Sequence, residues 1–430
     1  MILPLSLATL ALPVLAGDEE SEVDDEVRMV LASCDFGRPA EHPFLTDQLV
    51  DLGDPALAAL IGHYVGRTPW PVAEGSAPPA EGAARAFLTD ALRRWEPQEV
   101  ADALLAGPPA GDAPEEWLAA CGLVGDLGNG RVLCALIVGL DAAEAPWLVS
   151  PMVGDAVGRA VERVLEQDPE AVTFLGRMNP RTRRELRVAV ARALGRVSPP
   201  GAVGCLAGMV GRSDEEVDLA LLEALGSLTG PEGVLYCGER AAVVRPHLRA
   251  TSALIRRQAA HALGRIGDRR ACGELVEALE DEDPLVRRTA HGALVLLSGR
   301  ELPGEHGAWR AWLERELAWL DEQAPKLVLS LRAADPGVVV SALRQLSDHP
   351  LLSPDLTREI VGVLSRDDRT IQLAACAALE RLGDLDAVVD LVGLLDDPRR
   401  DVQEAAATAL AALTGAQLPA DPEAWEAWRR

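Results

Sequence analysis

Two histidines are the first residues to consider for chemistry, because they occupy corresponding places in neighbouring stretches of the chain. His261 and His291 lie 30 residues apart, whereas the local internal period is 31 residues, so their side chains face slightly different directions. A protein metal site needs three or four convergent His, Cys or carboxylate ligands. Two misaligned histidines do not supply that set, and we predict that the protein holds no metal ion.

The cysteines are candidates for metal binding, disulfide formation or nucleophilic chemistry. Their number is odd, they are widely spaced, and no Cys-x-x-Cys pair occurs. This pattern is not typical of a zinc site or of a disulfide framework. Several lie within apolar helical stretches, so we expect buried, unreactive thiols. The seven residues are Cys34, Cys121, Cys134, Cys205, Cys237, Cys272 and Cys376.

The motifs that mark nucleophilic catalysis and phosphate binding do not occur in this sequence. There is no Gly-x-Ser-x-Gly elbow and no Gly-x-x-x-x-Gly-Lys-Ser/Thr loop, and Lys326 is the only lysine. The glycine-rich stretch 125–130 fits a turn between two helices better than a phosphate loop. We therefore predict a protein that is not an enzyme, with no catalytic residue and no cofactor.

An arginine-rich stretch runs from Arg177 to Arg196, with Glu185 as the only acid in it. It could form a basic patch for an acidic partner segment or for the protein's own acidic N-terminus. It could also be an exposed helix face whose charge is balanced by the acids at 214–218, and we favour this second interpretation. The residues that we single out as candidates for protein binding are Arg181, Arg184, Arg257 and Arg288.

A tryptophan pair occurs twice in the sequence. Trp309 and Trp312 recur as Trp425 and Trp428, and the i, i+3 spacing places each pair on one helix face, with Trp319 extending the first pair. Exposed rings would make an aromatic binding surface, whereas buried rings would fill a gap between helices. Because each pair stands at a fixed distance from the same local motif, we favour packing. We also expect the last pair to cap the open end of the structure.

The elements that position these residues follow from internal repetition. When the sequence is shifted by 116 residues, 255–312 aligns without a gap with 371–428, and 24 of the 58 positions are identical. A shift of 69 residues aligns the stretches that begin at 193 and 262. Repetition of this kind indicates an architecture built from similar structural units.

A shorter period of about 31 residues lies within each long unit and accommodates two helices and two turns. Gly267-Asp268 and Gly383-Asp384 are expected to end one helix and cap the next. Asp283-Pro284 and Asp335-Pro336 are expected to begin helices. One helical hairpin cannot bury its own apolar face, so the hairpins must stack. The predicted fold class is all-α, an α-solenoid of stacked antiparallel helical hairpins.

The stretch 255–299 resembles the bacterial HEAT-like repeats of the phycobilisome-lyase type. Asp283, Val286 and Arg287 match the Asp-x-x-Val-Arg element of that pattern, followed by the expected small and apolar residues. Gln403 stands where the third unit would have the arginine. The resemblance implies that neighbouring repeats are joined by a ladder of Asp–Arg contacts, which should be patchy in this chain.

The N-terminus differs from the rest of the sequence. Residues 1–16 form an apolar run typical of a signal peptide, although no Lys or Arg precedes it, and we expect export to the periplasm or the cell exterior. The alternative is a cytoplasmic protein in which this run is a buried first helix. Seven acids in residues 18–26 are typical of a solvated tether.

The predicted organisation has four parts. They are a signal peptide at 1–16, an acidic disordered tether at 17–26, a divergent helical region at 27–116, and a HEAT-like solenoid at 117–430 with Trp-containing extensions at 301–322 and 417–430.

The composition narrows the class of partner. The net charge is −26, and residues 1–150 alone contain 24 acids and seven arginines. An acidic body repels a phosphate backbone, so we do not expect nucleic acid as a partner. The predicted function is a non-catalytic scaffold that binds a protein or peptide. The alternative is an enzyme or a chromophore-handling or small-molecule-handling protein, as the lyase resemblance implies.

Overall fold

The structure is a computed structural model. It describes residues 17–36, 38, 41–72, 78–106, 114–143, 149–178, 181–210, 214–349, 351 and 354–429. The predicted signal peptide at 1–16 lies outside the described residues. The chain divides into two compact units, unit 1 (Met1–Phe174) and unit 2 (Leu175–Arg430).

Unit 1 is helical throughout its described part. Its helices are α1 (Gly17–Ala32), α2 (His42–Asp51), α3 (Asp54–Val65), α4 (Glu81–Leu92), α5 (Pro97–Ala106), α6 (Pro114–Leu127), α7 (Gly130–Ala142) and α8 (Pro151–Gln167), followed by the short α9 (Val172–Leu175) at the boundary of the units.

Local sequence signals explain where several of these helices begin and end. Asn129 caps α7 by accepting hydrogen bonds from two backbone amides of its first turn. Ser150 caps α8 by accepting one from the backbone amide of Met152, and Pro151 is the first residue of that helix. Gly66 ends α3 in the left-handed conformation. The glycine-rich stretch 125–130 comprises the end of α6, the turn at Gly128 and Asn129, and the first residue of α7.

The core of unit 1 lies between successive helices. α3 packs against α1 and α6, α6 against α8, and α5 against α7. Leu57, Leu60, Trp117 and Leu133 are almost completely buried between them. Burying a large apolar side chain contributes about 2 kcal/mol to stability. Contributions of this kind stabilise helical hairpins that are unstable on their own.

The structure differs from the expectation of a disordered tether at 17–26, because these residues lie in α1. The physical reason is in the second half of the helix. Val27 and Leu31 are fully buried, and α1 packs against α3. The acids therefore extend a helix that is anchored by apolar contacts further along.

Unit 2 is also helical in its described part. Its helices are α10 (Arg184–Val197), α11 (Ala202–Met209), α12 (Glu215–Ser227), α13 (Gly230–Leu235), α14 (Cys237–Val244), α15 (Ala253–Ile266), α16 (Cys272–Glu277), α17 (Pro284–Ser298), α18 (His306–Glu322), α19 (Ala324–Ser330), α20 (Pro336–Leu346), α21 (Pro354–Gly362), α22 (Arg369–Leu382), α23 (Val388–Gly393), α24 (Arg400–Thr414) and α25 (Pro422–Arg429).

The first helices of consecutive hairpins form a continuous layer in unit 2. α10, α12, α15 and α17 pack in succession, as do α20, α22 and α24. The second helices, such as α16 and α23, cover this layer. Small and branched residues such as Ala259, Leu263, Ala290 and Leu294 are buried where the helices meet. The chain is an all-α solenoid of stacked helical hairpins, as predicted.

The duplication seen in the sequence is reproduced in the helix bounds. α15, α16 and α17 begin and end 116 residues before α22, α23 and α24, and α18 begins 116 residues before α25. Gly267 and Gly383 both have positive φ, at 84° and 63°, and both end a helix as predicted. We call residues 253–312 copy 1 and residues 369–428 copy 2.

One predicted detail of the turns needs correction. Asp283 and Asp335 cap their helices as expected, and Asp384 accepts the backbone amide of Asp386. Asp268 makes no such cap. Its two carboxylate oxygens instead accept hydrogen bonds from Nε and Nη2 of Arg245, at 2.6 and 2.7 Å.

The C-terminal helix does more than cap an open end. α25 packs against α23 and also against α13 of the first half of unit 2. Arg269 in the turn after α15 donates a hydrogen bond to the carbonyl oxygen of Leu382 at the end of α22. The expectation of a simple end cap therefore needs correction, because copy 2 contacts the turns around copy 1. Among the described helices, none is long and apolar enough to cross a membrane.

Candidate functional site

The arginine-rich stretch places most of its charge in local contacts. Arg184 forms ion pairs with Glu185 at 3.2 Å and with Glu216 at 3.3 Å. Arg187 is buried and donates to the carbonyl oxygen of Thr182. The acids at 214–218 thus balance part of this charge, as the favoured interpretation predicted.

The four candidate residues for protein binding lie at separate places in unit 2. Arg181 is exposed before α10, and Arg184 is exposed at its first turn. Arg257 is half-buried on α15, and Arg288 is exposed on α17. The structure does not gather them into one pocket within the described residues, and their role in binding stays a prediction.

The repeated tryptophans pack inside the protein. Trp309 is fully buried and Trp312 is 5% exposed, with their rings edge-to-face at 5.5 Å. Trp425 is fully buried, and its indole Nε1 donates to the carbonyl oxygen of Pro419 at 2.9 Å. Trp428 lies edge-to-face against Trp425. The prediction of a packing role is confirmed.

Trp319 does not form an aromatic surface with the first pair. Its ring stacks on His349 at 3.4 Å, and Nδ1 of that histidine lies 2.9 Å from Oε2 of the buried Glu316. These contacts hold α18 to the end of α20.

The two histidines considered for metal binding have other surroundings. His291 packs edge-to-face on Trp309, and its Nε2 lies 2.8 Å from the carbonyl oxygen of Leu302. His261 is exposed on α15. In the described part of the chain no group of three His, Cys, Asp or Glu side chains is arranged to hold a metal ion.

The expectation of buried thiols is met by four cysteines, Cys121, Cys205, Cys272 and Cys376, whereas Cys34, Cys134 and Cys237 are half-buried. All seven are free thiols. Burial raises the pKa of Cys121, Cys205, Cys272 and Cys376 to about 12. A thiol with such a pKa is almost entirely protonated at neutral pH and is a poor nucleophile.

Unit 1 contains a groove of about 840 Å³. α6 forms its floor, because α6 packs against both α4 and α8, and these two helices form the walls. The floor consists largely of small residues, including Cys121, Gly122 and Gly125. We call this surface the arginine groove.

At one position of the floor, Gly125, α8 approaches closely. A Cβ atom at Gly125 would lie 3.1 Å from Cδ of Arg163 and 3.4 Å from Cα of Ala160. At Gly122 the situation differs, since a Cβ atom would have only the Tyr64 hydroxyl nearby, at 3.8 Å. Side-chain bulk at Gly122 would therefore enter the groove rather than the helix interface.

Four arginines line the walls of the groove. Arg85 and Arg93 come from α4 and its C-terminal end, and Arg159 and Arg163 come from α8. Within each pair the spacing is four or eight residues, which places both side chains on the same helix face. Asp126 is the only acid among the lining residues.

Asp126 shows how the groove holds a carboxylate. Its Oδ2 accepts a hydrogen bond from the Tyr64 hydroxyl at 2.7 Å, and its Oδ1 accepts one from Arg163 Nη1 at 2.7 Å. Burial and the neighbouring Asp126 raise the pKa of Tyr64 above its usual range. Tyr64 is therefore a hydrogen-bond donor at any physiological pH.

This site was not predicted from the sequence. Its arginines are not close together in the chain, because the groove joins one pair from α4 and its C-terminal end with another from α8. The available signal was the helical spacing of Arg85, Thr89 and Arg93, with an equally spaced pair at Arg159 and Arg163. That signal identifies two faces but does not indicate that they flank the same floor.

A comparison with protein families matches part of unit 2. A family model described as HEAT repeats matches residues 241–303, which include α15, α16 and α17. These residues are similar to HEAT repeats. The match confirms the HEAT-repeat prediction for this stretch and does not distinguish the phycobilisome-lyase type.

Comparison with solved structures finds similarity to engineered proteins. Two solved structures of engineered proteins, both targets of the Northeast Structural Genomics Consortium, match at 18% sequence identity. The first covers 93% of this chain and 96% of its own, with a TM-score of 0.30. The second covers 59% of this chain and 95% of its own, with a TM-score of 0.23. No curated protein has a significantly similar sequence.

Proposed function

We propose that this protein is a non-catalytic scaffold that binds another protein or a peptide, and that the arginine groove of unit 1 is a binding site. The observation that carries the proposal is the groove itself. It is an open channel between the faces of two helices with a floor of small side chains. Peptide segments bind in concave surfaces of this kind between helices.

The groups that line the groove support binding rather than catalysis. The Cys121 thiol is buried, with a pKa of about 12, and the Tyr64 hydroxyl is held protonated beside Asp126. A general acid or base works best with a pKa near the working pH. Arginine, tyrosine and threonine side chains are well suited to positioning a ligand by hydrogen bonds.

The alternative, a protein that handles a chromophore or another small molecule, rests on the resemblance to phycobilisome-lyase repeats. Such a protein needs a pocket with aromatic walls. Trp309, Trp312 and Trp425 are buried by packing, which does not favour this alternative.

Export through residues 1–16 is part of the proposal. It would bring the scaffold into contact with partners outside the cytoplasm. Fractionation of the source cells with an antibody against the folded chain tests it. Recovery from the periplasm or medium supports export, and recovery only from the cytoplasm contradicts it.

The binding proposal is tested by filling the groove. We expect Gly122→Phe to lose the partner proteins that co-purify with the tagged full-length chain, because the ring occupies the channel above α6. Gly122→Ala is the matched control, since its Cβ makes only an ordinary contact with Tyr64. Gly204→Phe on the exposed face of α11 controls for an added phenyl ring, because a Cβ there has no neighbour within 4 Å.

The outcomes separate the two candidate functions. Proteins that are retained by Gly122→Ala and Gly204→Phe but lost by Gly122→Phe support the scaffold. Equal recovery with all three variants contradicts a role for the groove. A small molecule that absorbs visible light, recovered without any protein, favours the alternative.

A further inference from the structure

We infer that the arginine groove binds an acidic protein segment, which places two or more carboxylates against the arginines of α4 and α8. This inference rests on the proposed function, because it names the chemistry of the partner at the same site.

The groove is a basic site in an acidic part of the chain. Its lining contains four arginines and one carboxylate, whereas unit 1 as a whole (residues 1–174) contains 29 acids and nine arginines. Guanidinium groups that line a concave surface produce a positive electrostatic potential inside the groove, and the acidic residues elsewhere in unit 1 make the potential outside it negative. A negatively charged ligand is therefore attracted to the groove and repelled by the surface around it.

Asp126 is an internal example of the ligand chemistry. Its carboxylate is bound by a tyrosine hydroxyl and a guanidinium at hydrogen-bond distance, in the same groove. Hydrogen bonds between charged groups are about twice as strong as neutral ones. The lining thus has the donor geometry for carboxylates and places one on the floor.

The other arginines are distributed along both walls, and Arg93 already donates a hydrogen bond to the backbone carbonyl oxygen of Asp126 at 2.5 Å. Arg159 is exposed on α8 and forms no ion pair with a described residue. Arg85 lies above the Tyr64 ring at 5.5 Å, and its ion pair with Glu81 lies at the exposed end of α4. Arg85 and Arg93 are separated by roughly 12 Å along the helix at 1.5 Å per residue.

This distribution favours a chain segment over other anions. A single phosphate or carboxylate cannot contact donors on two walls that are also spread over two helical turns. A segment with several acidic side chains can. Nucleic acid is also polyanionic, but its phosphate backbone would extend across the acidic surface around the groove, and the chain has a net charge of −26.

Binding of a defined probe to the full-length chain tests the inference. The probe is a fluorescein-labelled peptide of repeated Glu-Glu-Ala-Ala, and its matched control has every Glu replaced by Gln. Fluorescence anisotropy is measured at about 0.15 M salt, where charges further apart than about 8 Å are screened. We expect the Glu peptide to bind at least about tenfold more tightly than the Gln peptide.

Two variants in the groove with opposite expected effects on affinity, and one control variant outside it, locate the binding site. Arg159→Glu should weaken binding of the Glu peptide by at least about tenfold, because it places a carboxylate in the groove. Arg344→Glu makes the same charge change at an exposed position of α20 and should change the affinity less than about twofold. Asp126→Asn should strengthen binding, because it keeps an acceptor for Tyr64 and frees the charge of Arg163. Far-UV circular dichroism confirms folding of each variant.

Three results would overturn the inference. One is equal binding of the Glu and Gln peptides. Another is an equal effect of Arg159→Glu and Arg344→Glu. The third is binding of a single-stranded oligonucleotide as tight as that of the Glu peptide, with the same dependence on Arg159. If any of these occurs while Gly122→Phe still loses the native partner, the scaffold proposal stands and only the acidic character of the partner is wrong.

Discussion

Copy 1 and copy 2 of unit 2 have the same helix bounds but hold their polar groups in different ways. Asp281 of copy 1 and Asp397 of copy 2 occupy corresponding positions before a helix, 116 residues apart. Asp281 is bound at both oxygens by Arg256, which lies on the preceding long helix, at 2.7 and 2.8 Å. Asp397 is bound at both oxygens by Arg399, two residues further along, at 2.8 Å.

The residues at the exchanged positions complete the pattern. Gln372 of copy 2 corresponds to Arg256 and accepts a hydrogen bond from Arg399. Asp283 of copy 1 corresponds to Arg399. The guanidinium has thus moved from the helix to the turn, and the carboxylate keeps a charged partner in both copies. The contact that matters is a donor for the buried carboxylate, not the position from which it comes.

The predicted ladder of Asp–Arg contacts follows the same rule. Arg287 of copy 1 donates to the carbonyl oxygens of Asp281 and Glu282. Gln403, which replaces this arginine in copy 2, donates to the carbonyl oxygen of Asp397 at 2.8 Å. Loss of the charge at this position therefore leaves the backbone contact in place.

The largest expected effect comes from the apolar contacts that both copies share. We expect Trp309→Ala and Trp425→Ala each to lower the free energy of unfolding by about 3–5 kcal/mol, because each removes a fully buried indole. Urea denaturation followed by circular dichroism measures this. An unchanged midpoint for either variant would contradict packing as the role of that tryptophan.

The ion pair of Asp281 can be removed in copy 1 and then replaced by the arrangement found in copy 2. We expect Arg256→Gln to lower the free energy of unfolding by about 2 kcal/mol. This is less than for a fully buried ion pair, because the side chains of Arg256 and Asp281 are 10% and 11% exposed. Adding Asp283→Arg should recover part of the loss, since it reproduces the arrangement of Gln372 and Arg399. If the double variant loses more free energy of unfolding than the two single variants lose together, the two arrangements are not interchangeable.

The two copies should also share a dependence on acid. Hydrogen bonds from Arg399 lower the pKa of Asp397 to about 2, and Arg256 likewise lowers the pKa of Asp281. A carboxylate whose folded pKa is lowered stabilises the fold above its unfolded pKa of about 3.9 and loses that contribution as the pH falls toward the folded value. Stability should therefore decline between about pH 4 and pH 2.

Arg399→Gln isolates the contribution of Asp397. The variant should be less stable than the parent at neutral pH and should lose less on acidification, so that the two stability curves approach each other near pH 2. Urea midpoints measured across the acid range test this. Parallel curves would mean that Asp397 does not depend on Arg399.

The smallest expected effect concerns how closely the long helices approach. A Cβ atom at Gly195 would lie 2.7 Å from Cα of Ala224, whereas at the corresponding Gly264 it would lie 3.1 Å from Cβ of Ala293. We expect Gly195→Ala to destabilise by about 1–2 kcal/mol. Gly264→Ala should be within about 0.5 kcal/mol of the parent, because the gain in helix propensity offsets the tighter contact. Thermal unfolding compares them, and equal losses would contradict the difference in spacing.

The repeat architecture was predictable because its determinants are local in the sequence. Positions such as Ala259 and Leu263 recur at helical spacing, and Gly267 and Gly383 end helices where only glycine adopts the required conformation freely. The spacing of the apolar residues and the positions of the helix-ending glycines can be read from the sequence without knowing how the helices pack. The helix at 17–26 was missed because its stability comes from Val27 and Leu31, beyond the acidic stretch that dominates the local composition.

The arginine groove was not predictable, because it depends on which helices flank α6. Arg93 and Arg159 are 66 residues apart, and no local pattern relates them. The stretch that looked most basic in the sequence contains Arg184, which the structure pairs with Glu216. Clusters of charge along a chain and clusters in space are therefore different properties of this protein.

Photo-crosslinking from inside the groove tests the central claim most directly. A benzophenone amino acid is placed at position 122 of the full-length chain, and at position 204 as the control, and the products formed in the source cells are identified by mass spectrometry. We predict that position 122 gives a protein product joined through a segment rich in Glu and Asp, and that position 204 does not. The same products from both positions, or none from position 122, would contradict the account.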